Sequence, residues 1–425
     1  MDQLVGHADS ARPSRYDTAM SRFPHRAVPI VLAAVTVDVI GFGIVMPVLP
    51  GLIVALGHTD LAHATLIGGW MLAAFALAQF VAGPILGNLG DRFGRRPVLV
   101  AAMVAFALDY ALMAGAPTLA WLFLGRVIAG AAGASYGPAG AVIADVTPPE
   151  QRAAGYGLLG AAFGLGFIVG PALGGLVAHW GARAPFALAA ALAALNALAM
   201  LLFLPETLGR EQRRPFSLRD AHVIGAFRPL FAAGNAAPLL VAWFLWQLGG
   251  IVYPAVWSFW ATLRFGWSPA AIGWSLAWVG FLQLLVQLFL TRRAVARLGE
   301  RRAALIGLVA GAATLLAYAF VTQGWQVYAF FLVGALGALA WPALNGLLSR
   351  LVDATRQGAL QGGLGSMDSV AAVIGPLIAT QSLAWGARRG FDGLAFVVAG
   401  TLIGASALIV AVGIPTLRAH DGDAR

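Results

Sequence analysis

The stretch GNLGDRFGRRPVLV, from Gly87 to Val100, is a polar turn carrying one carboxylate and three arginines between two long apolar runs. Residues 64–90 precede it and residues 97–115 follow, both almost wholly apolar. About 20 such residues cross a hydrocarbon core of about 30 Å as an α-helix. Neither run alternates apolar and polar residues with period two, so neither reads as a strand. In lipid a backbone amide finds no water, and helices satisfy their own amides. Helix, charged turn, helix is therefore the unit of this fold.

The unit repeats outward in both directions. Apolar runs bounded by Gly, Pro or charge place spans near 27–56, 64–90, 97–115, 118–144, 152–180, 184–204, 232–262, 269–291, 302–321, 324–351, 357–385 and 391–415, about twelve in all. Little chain is left for a soluble domain. Composition agrees: 60% of the 425 residues are hydrophobic and 11% charged, and the mean hydropathy is +0.81. The fold expected is an all-α integral membrane bundle.

Cysteine is absent, so disulfides and thiolate metal sites are excluded, and no other metal site is expected. Every basic residue is Arg, and the net charge is +9. These arginines punctuate short loops, which is a topology signal; no nucleic-acid partner is expected. Arg92, Arg95, Arg96, Arg152, Arg210, Arg213, Arg214, Arg219, Arg228, Arg292, Arg293, Arg297, Arg301, Arg302, Arg350 and Arg356 fall in one set of loops; Arg183, Arg264, Arg388 and Arg389 fall in the other. Loop arginine resists translocation, so both termini are expected in the cytoplasm.

A polar stretch from Pro205 to Arg228 sits at mid-chain, where a linker with some interfacial helix is expected. The flanking halves echo each other: RFGRR from Arg92 matches RLGER from Arg297, and Gly170-Pro171 matches Gly375-Pro376, at one and the same offset. The division expected is a tail 1–26, a six-helix bundle 27–204, a linker 205–231, a second bundle 232–415 and a tail 416–425. An even number of spans per half makes the repeats parallel, with a substrate site between them near the midplane.

Ionisable groups inside apolar runs are the sharpest functional signals. Asp38 has no base beside it in the first span, and Asp109 lies well inside the third. Arg126, in the fourth, would cost at least about 2.5 to 3.5 kcal/mol at mid-membrane unless paired, or else snorkels to the interface. A nearby Arg126 would favour the charged form of Asp38, while desolvation favours the protonated one, as a proton-coupling carboxylate requires. Asp38 and Asp109 also admit purely structural, hydrogen-bonded roles. Asp368, in the eleventh span with Gln361 on the same face, is either a third functional carboxylate or one held by Ser366 and Ser369. Gln247, Gln283 and Gln287, with Trp243, Trp246, Tyr253, Trp257, Trp260 and Trp278, are candidates to line a drug cavity or, for the aromatics, an interface belt.

The Gly87 to Val100 stretch resembles the loop motif between the second and third spans of the major facilitator superfamily. LGRVIAGAAGASYGPAGAVIAD, ending at Asp145, resembles its fourth-span motif. GLGFIVGPALGG, with Gly166, Gly170, Pro171, Gly174 and Gly175, resembles the fifth-span motif of drug:proton antiporters. DVIGFGIVMPVLPGL from Asp38 resembles the first-span motif of the twelve-span members. From about Pro29 to Pro415 the chain is similar to the bacterial tetracycline:proton antiporters, on VDVIGFGIVMPVLP, DRFGRRPVLV, LDY, FGLGFIVGPALGG, RFGW and QGALQGGL.

The resemblance implies export of a drug against protons by alternating access, with no enzymatic step and no cofactor beyond the proton gradient. The substrate would enter as a divalent-cation complex, and the protein would work as a monomer in the bacterial inner membrane. It also implies roles for Asp38, Asp109 and Arg126 in proton coupling or substrate binding. Gly87, Asp91, Arg92, Gly94, Arg95 and Asp145 form a conformational latch by the same resemblance, Asp91 meeting the start of the eleventh span near Gly358 to Gly362 and Arg95 reaching Asp145. Two positions depart from the pattern. Gly311 stands where a ninth-span carboxylate is usual, and Gln283 where some members carry His; Asp368 is expected to compensate. A metabolite uniporter or symporter is the alternative, and a non-transporting receptor the remote one.

Overall fold

A computed structural model describes residues 25–148, 151–215, 236–351 and 357–412, with only the backbone of Ala153, Gly358 and Ala359. The described residues form α-helices and short 3₁₀ or π segments, without strands. The tails and most of the mid-chain linker fall outside them.

In chain order the helices are α1 Ala27–Val45, α2 Leu49–Gly57, α3 Leu61–Phe93, α4 Arg95–Gly115, α5 Leu119–Gly133, α6 Tyr136–Val146, α7 Arg152–Val177 and α8 Ala184–Phe203. There follow α9 Ala237–Gly250, α10 Val252–Phe265, α11 Pro269–Leu285, α12 Thr291–Tyr318, α13 Gly324–Gly334, α14 Ala340–Arg350, α15 Gln357–Ala387 and α16 Leu394–Val412. Among the described residues eleven continuous helical stretches are long and apolar enough to cross a membrane, one of them the 50-residue run Pro269–Tyr318. That run breaks at Gly299, whose φ of 77° and ψ of 162° are not helical, so it makes two passes and the total is twelve. Gly94, at φ 110°, breaks the chain at the matching point of the first half. Both glycines are the central residues of the repeated RFGRR and RLGER turns.

Four passes are interrupted midway: α1 to α2, α5 to α6, α9 to α10, and α13 to α14 through a 3₁₀ turn Ala335–Leu339. They are the first and fourth passes of each half. Interrupted backbone is tolerated at membrane depth where protein or a cavity receives it. Within the first half α1 packs on α7 and α8, α3 on α5, and α4 on α8; within the second, α12 packs on α14 and α16, and α9 on α16. Asn196 Nδ2 donates to Ala34 O at 3.0 Å, tying α8 to α1, and Ser406 Oγ donates to Ala242 O at 2.7 Å, tying α16 to α9. Each such interhelical bond contributes about 0.6 kcal/mol in lipid; close packing of small residues supplies the rest.

The halves meet through two seams, α7 on α11 and α3 on α15. At the arginine-poor end both seams are shut. A Cβ on Gly175 would lie 2.7 Å from Pro269 O, one on Gly273 would strike Pro171 O, and one on Gly69 would strike the Thr380 hydroxyl. Toward the arginine-rich end nothing described lies within 4 Å of a Cβ built on Gly83 or Gly87 of α3, Gly157, Gly160 or Gly164 of α7, or Gly362 or Gly365 of α15. The seams therefore part toward the arginine-rich face.

Candidate functional site

In the first half the charged groups of the membrane interior lie on α1, α4 and α5. Arg126 is 2% exposed and Asp109 fully buried. Arg126 Nη2 stands 3.5 Å from Asp109 Oδ2, donates to the Met113 sulfur at 2.9 Å, and the guanidinium faces the Phe75 ring 5.9 Å from its centroid. Neither carboxylate oxygen of Asp109 has an aligned hydrogen bond among the described atoms, so charge attraction is what joins the pair. Gly125 makes the room, since a Cβ there would lie 2.6 Å from Asp109 Oδ1.

Arg126 thus pairs with Asp109 and not with Asp38, and it does not snorkel outward. Asp38 has no hydrogen bond among the described residues. It lines a small cavity with Val31, Val35, Met103, Ser135 and Tyr136, the last two at the interruption between α5 and α6. Tyr110, beside Asp109 in sequence, packs against α1 at Gly41, where a Cβ would lie 3.0 Å from its hydroxyl. The reading of sequence missed Tyr110 and Ser135; the LDY triplet was the available signal for the first.

At the arginine-rich end, Arg95 Nη1 is 2.6 Å from Asp91 Oδ1 and Arg95 Nε is 3.2 Å from Asp145 Oδ2. The structure adds Glu206, which follows α8. Its carboxylate accepts from the backbone N–H of Arg95 at 2.9 Å and of Arg96 at 3.3 Å, capping the start of α4 where an anion is favoured. A side chain on Gly94 would strike that carboxylate. Thr207 Oγ1 bonds Asp145 Oδ2 at 3.2 Å, and Arg214 N donates to Asp91 O at 3.1 Å. The stretch after the sixth pass is thus built into the turn between α3 and α4. Arg92 turns to the Phe93 ring, 5.0 Å from its centroid, and Gly87 faces open space. Asp91 pairs with Arg95; the side chains of 358–359, at the start of α15 where its expected partner begins, lie outside the described residues, and a Cβ on Gly362 would meet nothing within 4 Å.

The glycines of α7 divide between two partners. A Cβ on Gly166 would lie 2.7 Å from Thr36 O and one on Gly170 2.7 Å from Ile40 O, while one on Gly174 would strike Ile44 O, so this row lies on α1. Gly175 and the Pro171 carbonyl face α11.

In the second half, Trp243 Nε1 donates to Asp368 Oδ1 at 2.7 Å, and Gln247 lies one helical turn beyond Trp243 on α9. Ser366 and Ser369 instead donate to the carbonyls of Gly362 and Gly365. Trp257 and Trp260 are buried in a packed cluster with Tyr318, Phe331 and Phe396. Gln283 is exposed, and Gln287, in a π-helical turn Val286–Leu290, donates to Ala338 O at 3.1 Å. At Gly311 an added Cβ would meet only Ile403, at 3.9 Å. No cluster of His, Asp or Glu suited to a metal occurs among the described residues.

The family model of the Major Facilitator Superfamily matches residues 31–263 and 239–424. The chain is 42% identical to the class C tetracycline resistance protein of Escherichia coli, over 89% of this chain and 94% of that one. It is 39% identical to the class G tetracycline resistance protein of Vibrio anguillarum, over 82% and 88%. The crystal structure of the human organic anion transporter MFSD10 superposes with a TM-score of 0.68 at 24% identity, covering 91% of this chain and 99% of that one. Twelve passes in two repeated halves, glycine-shut at one end and parted at the other, accord with these likenesses: the chain belongs to the Major Facilitator Superfamily and is a multi-pass membrane transport protein, not an enzyme.

Proposed function

We propose that this protein exports a drug, tetracycline or another amphiphile, across the bacterial inner membrane in exchange for protons. The observation that carries the reading is its likeness, over nearly the whole chain, to proteins named for tetracycline resistance. The geometry supports alternating access between bundles 27–204 and 232–415. Loop arginines resist translocation, so the arginine-rich face and both termini belong to the cytoplasm. The described state is then open to the cytoplasm and shut outside, ready to load drug.

With Arg126 held by Asp109, Asp38 is the first-half carboxylate left to take and release the proton. A proton entering is worth about 2.3 kcal/mol per 100 mV plus about 1.4 kcal/mol per pH unit, enough for one proton to support more than a tenfold drug gradient. Closure toward the cytoplasm would bring the latch around Asp91, Arg95 and Asp145 against α15. We further assign a monomeric unit with lipid, drug and protons as its partners and no nucleic acid; tetracycline would travel as its divalent-cation complex.

The test is drug-induced proton movement in everted membrane vesicles. Tetracycline with Mg²⁺ is expected to release protons from the lumen of wild-type vesicles and not from Asp38→Asn vesicles. Silence across a panel of drugs, in vesicles shown to contain the protein, overturns the reading in favour of a metabolite carrier.

A further inference from the structure

The faces of α7 are divided by what they touch. Gly166, Gly170 and Gly174 form one row against α1, while Ile168, Pro171 and Gly175 form another against α11. At about 100° per residue, two arcs of the helix separate these rows. One carries Leu158, Leu165 and Leu176, all exposed, and is the lipid side. The other carries Tyr156, Gly160, Phe163, Gly164 and Phe167, and faces the cleft in which the two halves part.

This arc is built flat. The Phe163 and Phe167 rings lie 6.4 Å apart between centroids and within 9° of parallel, and Phe163 is 45% exposed. A Cβ on Gly160 or Gly164 would meet nothing within 4 Å, so the helix is bare beside the rings. Tyr136, which opens α6, stands edge to face against Phe163, 6.5 Å away at 86°, and is 46% exposed. Two parallel rings make a floor and the third a wall. Pro171 meets Gly273 and Ile168 meets Gly280, a register that sets the exposed Gln283 level with Gly164 across the seam. Aromatic faces left open beside bare glycine have room for a flat ring system and the quadrupole to stack it.

Tyr136 has a second neighbour. With Ser135 it lines the small cavity bordered by Asp38, and it is the exposed member of that lining. One residue thus borders both the flat notch on α7 and the cavity of the unpaired carboxylate. Of the side chains that shape the notch, Tyr136 alone is ionisable, so ring area and shape, not charge, are what the notch can select.

From this arrangement we infer that Phe163, Phe167 and Tyr136 form a stacking site for flat fused-ring compounds, selected by planarity whatever their charge, whose occupant lies against the wall of the Asp38 cavity. The inference rests on the export reading above and adds to it a substrate class and a positioning residue. A ring system seated on Phe163 meets Tyr136 at its edge and holds that ring over the cavity; its departure frees the ring, so the access of Asp38 to water follows drug occupancy.

The test is equilibrium binding to the purified full-length protein in detergent, with two probes of equal charge and unlike shape: proflavine, which is flat, and tetraphenylphosphonium, whose rings splay about phosphorus. Wild type is expected to bind proflavine and Phe163→Ala to bind it about tenfold more weakly, while tetraphenylphosphonium, bound weakly or not at all, changes less than about twofold. Tyr136→Phe, which keeps the ring, should match wild type. Tyr136→Ala should lose proflavine affinity as Phe163→Ala does. In everted vesicles at saturating tetracycline with Mg²⁺, Phe163→Ala should recover the full rate of proton release and Tyr136→Ala should not. Absence of proflavine binding to wild type overturns the inference, as does equal change of both probes in Phe163→Ala; full proton release by Tyr136→Ala overturns the link to Asp38. If any of these occurs while wild-type vesicles still release protons with tetracycline, the export reading stands alone; silent wild-type vesicles remove the export reading itself.

Discussion

Glu206, at the end of the first half, caps a helix that begins 111 residues earlier in sequence: its carboxylate accepts the backbone N–H of Arg95 at 2.9 Å. That bond joins the chain leaving the sixth pass to the turn in which Arg95 also meets Asp91 and Asp145. Glu206→Ala is expected to lose about 1 to 2 kcal/mol as a lost cap, read as a lower midpoint in detergent thermal unfolding. Glu206→Gln, which keeps an acceptor, should lose less; equal loss by both would mean that charge and not capping is at stake.

Replacing Arg126 by Met strands a buried carboxylate, and replacing Asp109 by Asn strands a buried guanidinium. Each single change is expected to cost about 3 to 5 kcal/mol, and the double change less than the sum. A double-mutant cycle on unfolding midpoints measures the coupling; strict additivity would show that the 3.5 Å approach carries no energy.

The chain has no cysteine, so cysteines introduced in pairs report the seams directly. A Cβ at position 69 would lie 2.9 Å from Thr380 Cβ, close to the 3.5 to 4.5 Å span of a disulfide. Gly69→Cys with Thr380→Cys is expected to cross-link on oxidation and hold the arginine-poor end shut. Transport should stop and return on reduction. Absence of a cross-link would place that seam elsewhere.

Gly175→Val should act oppositely. The side chain would be driven into Pro269 O and Ala270 at the shut end, prying α7 from α11. The expected result is a shift toward the state open at the arginine-poor face, seen as increased thiol labelling of Ala271→Cys relative to the parent. Gly174→Val, aimed instead at Ile44 on α1, should reduce folded protein without that shift.

Outside the spans, Asp60 caps α3, accepting the His63 N–H at 2.8 Å. That backbone bond first, and the His63 side chain second, hold its carboxyl below the ordinary carboxylate range. A depressed carboxylate stabilises above its unfolded value, and the effect is lost as pH falls through the folded one. Asp60→Asn should therefore match wild type most closely in acid and differ most at neutral pH, in unfolding midpoints taken from pH 3 to 7.

The amino-acid sequence by itself determined the solvent, the fold class and the count of passes. Apolar runs of about 20 residues and arginine-marked turns are local properties, and in lipid the backbone admits one solution for them. It also located Asp38, Asp109, Arg126 and Asp368, since a charge in an apolar run is visible without any neighbour.

Partners were decided only by the tertiary structure. Helices that are apolar on every side carry no stripe to show which face turns inward, so periodicity could not tell whether Arg126 would meet Asp38 or Asp109. The glycines of α7 announced close packing, yet which of them lies on α1 and which on α11 depends on how the helix is turned. Trp257 and Trp260 look like cavity aromatics in sequence and are core in space. Which end stands open rests on a small difference between two packings of the same residues, and no local pattern encodes a difference that only the assembled seams create.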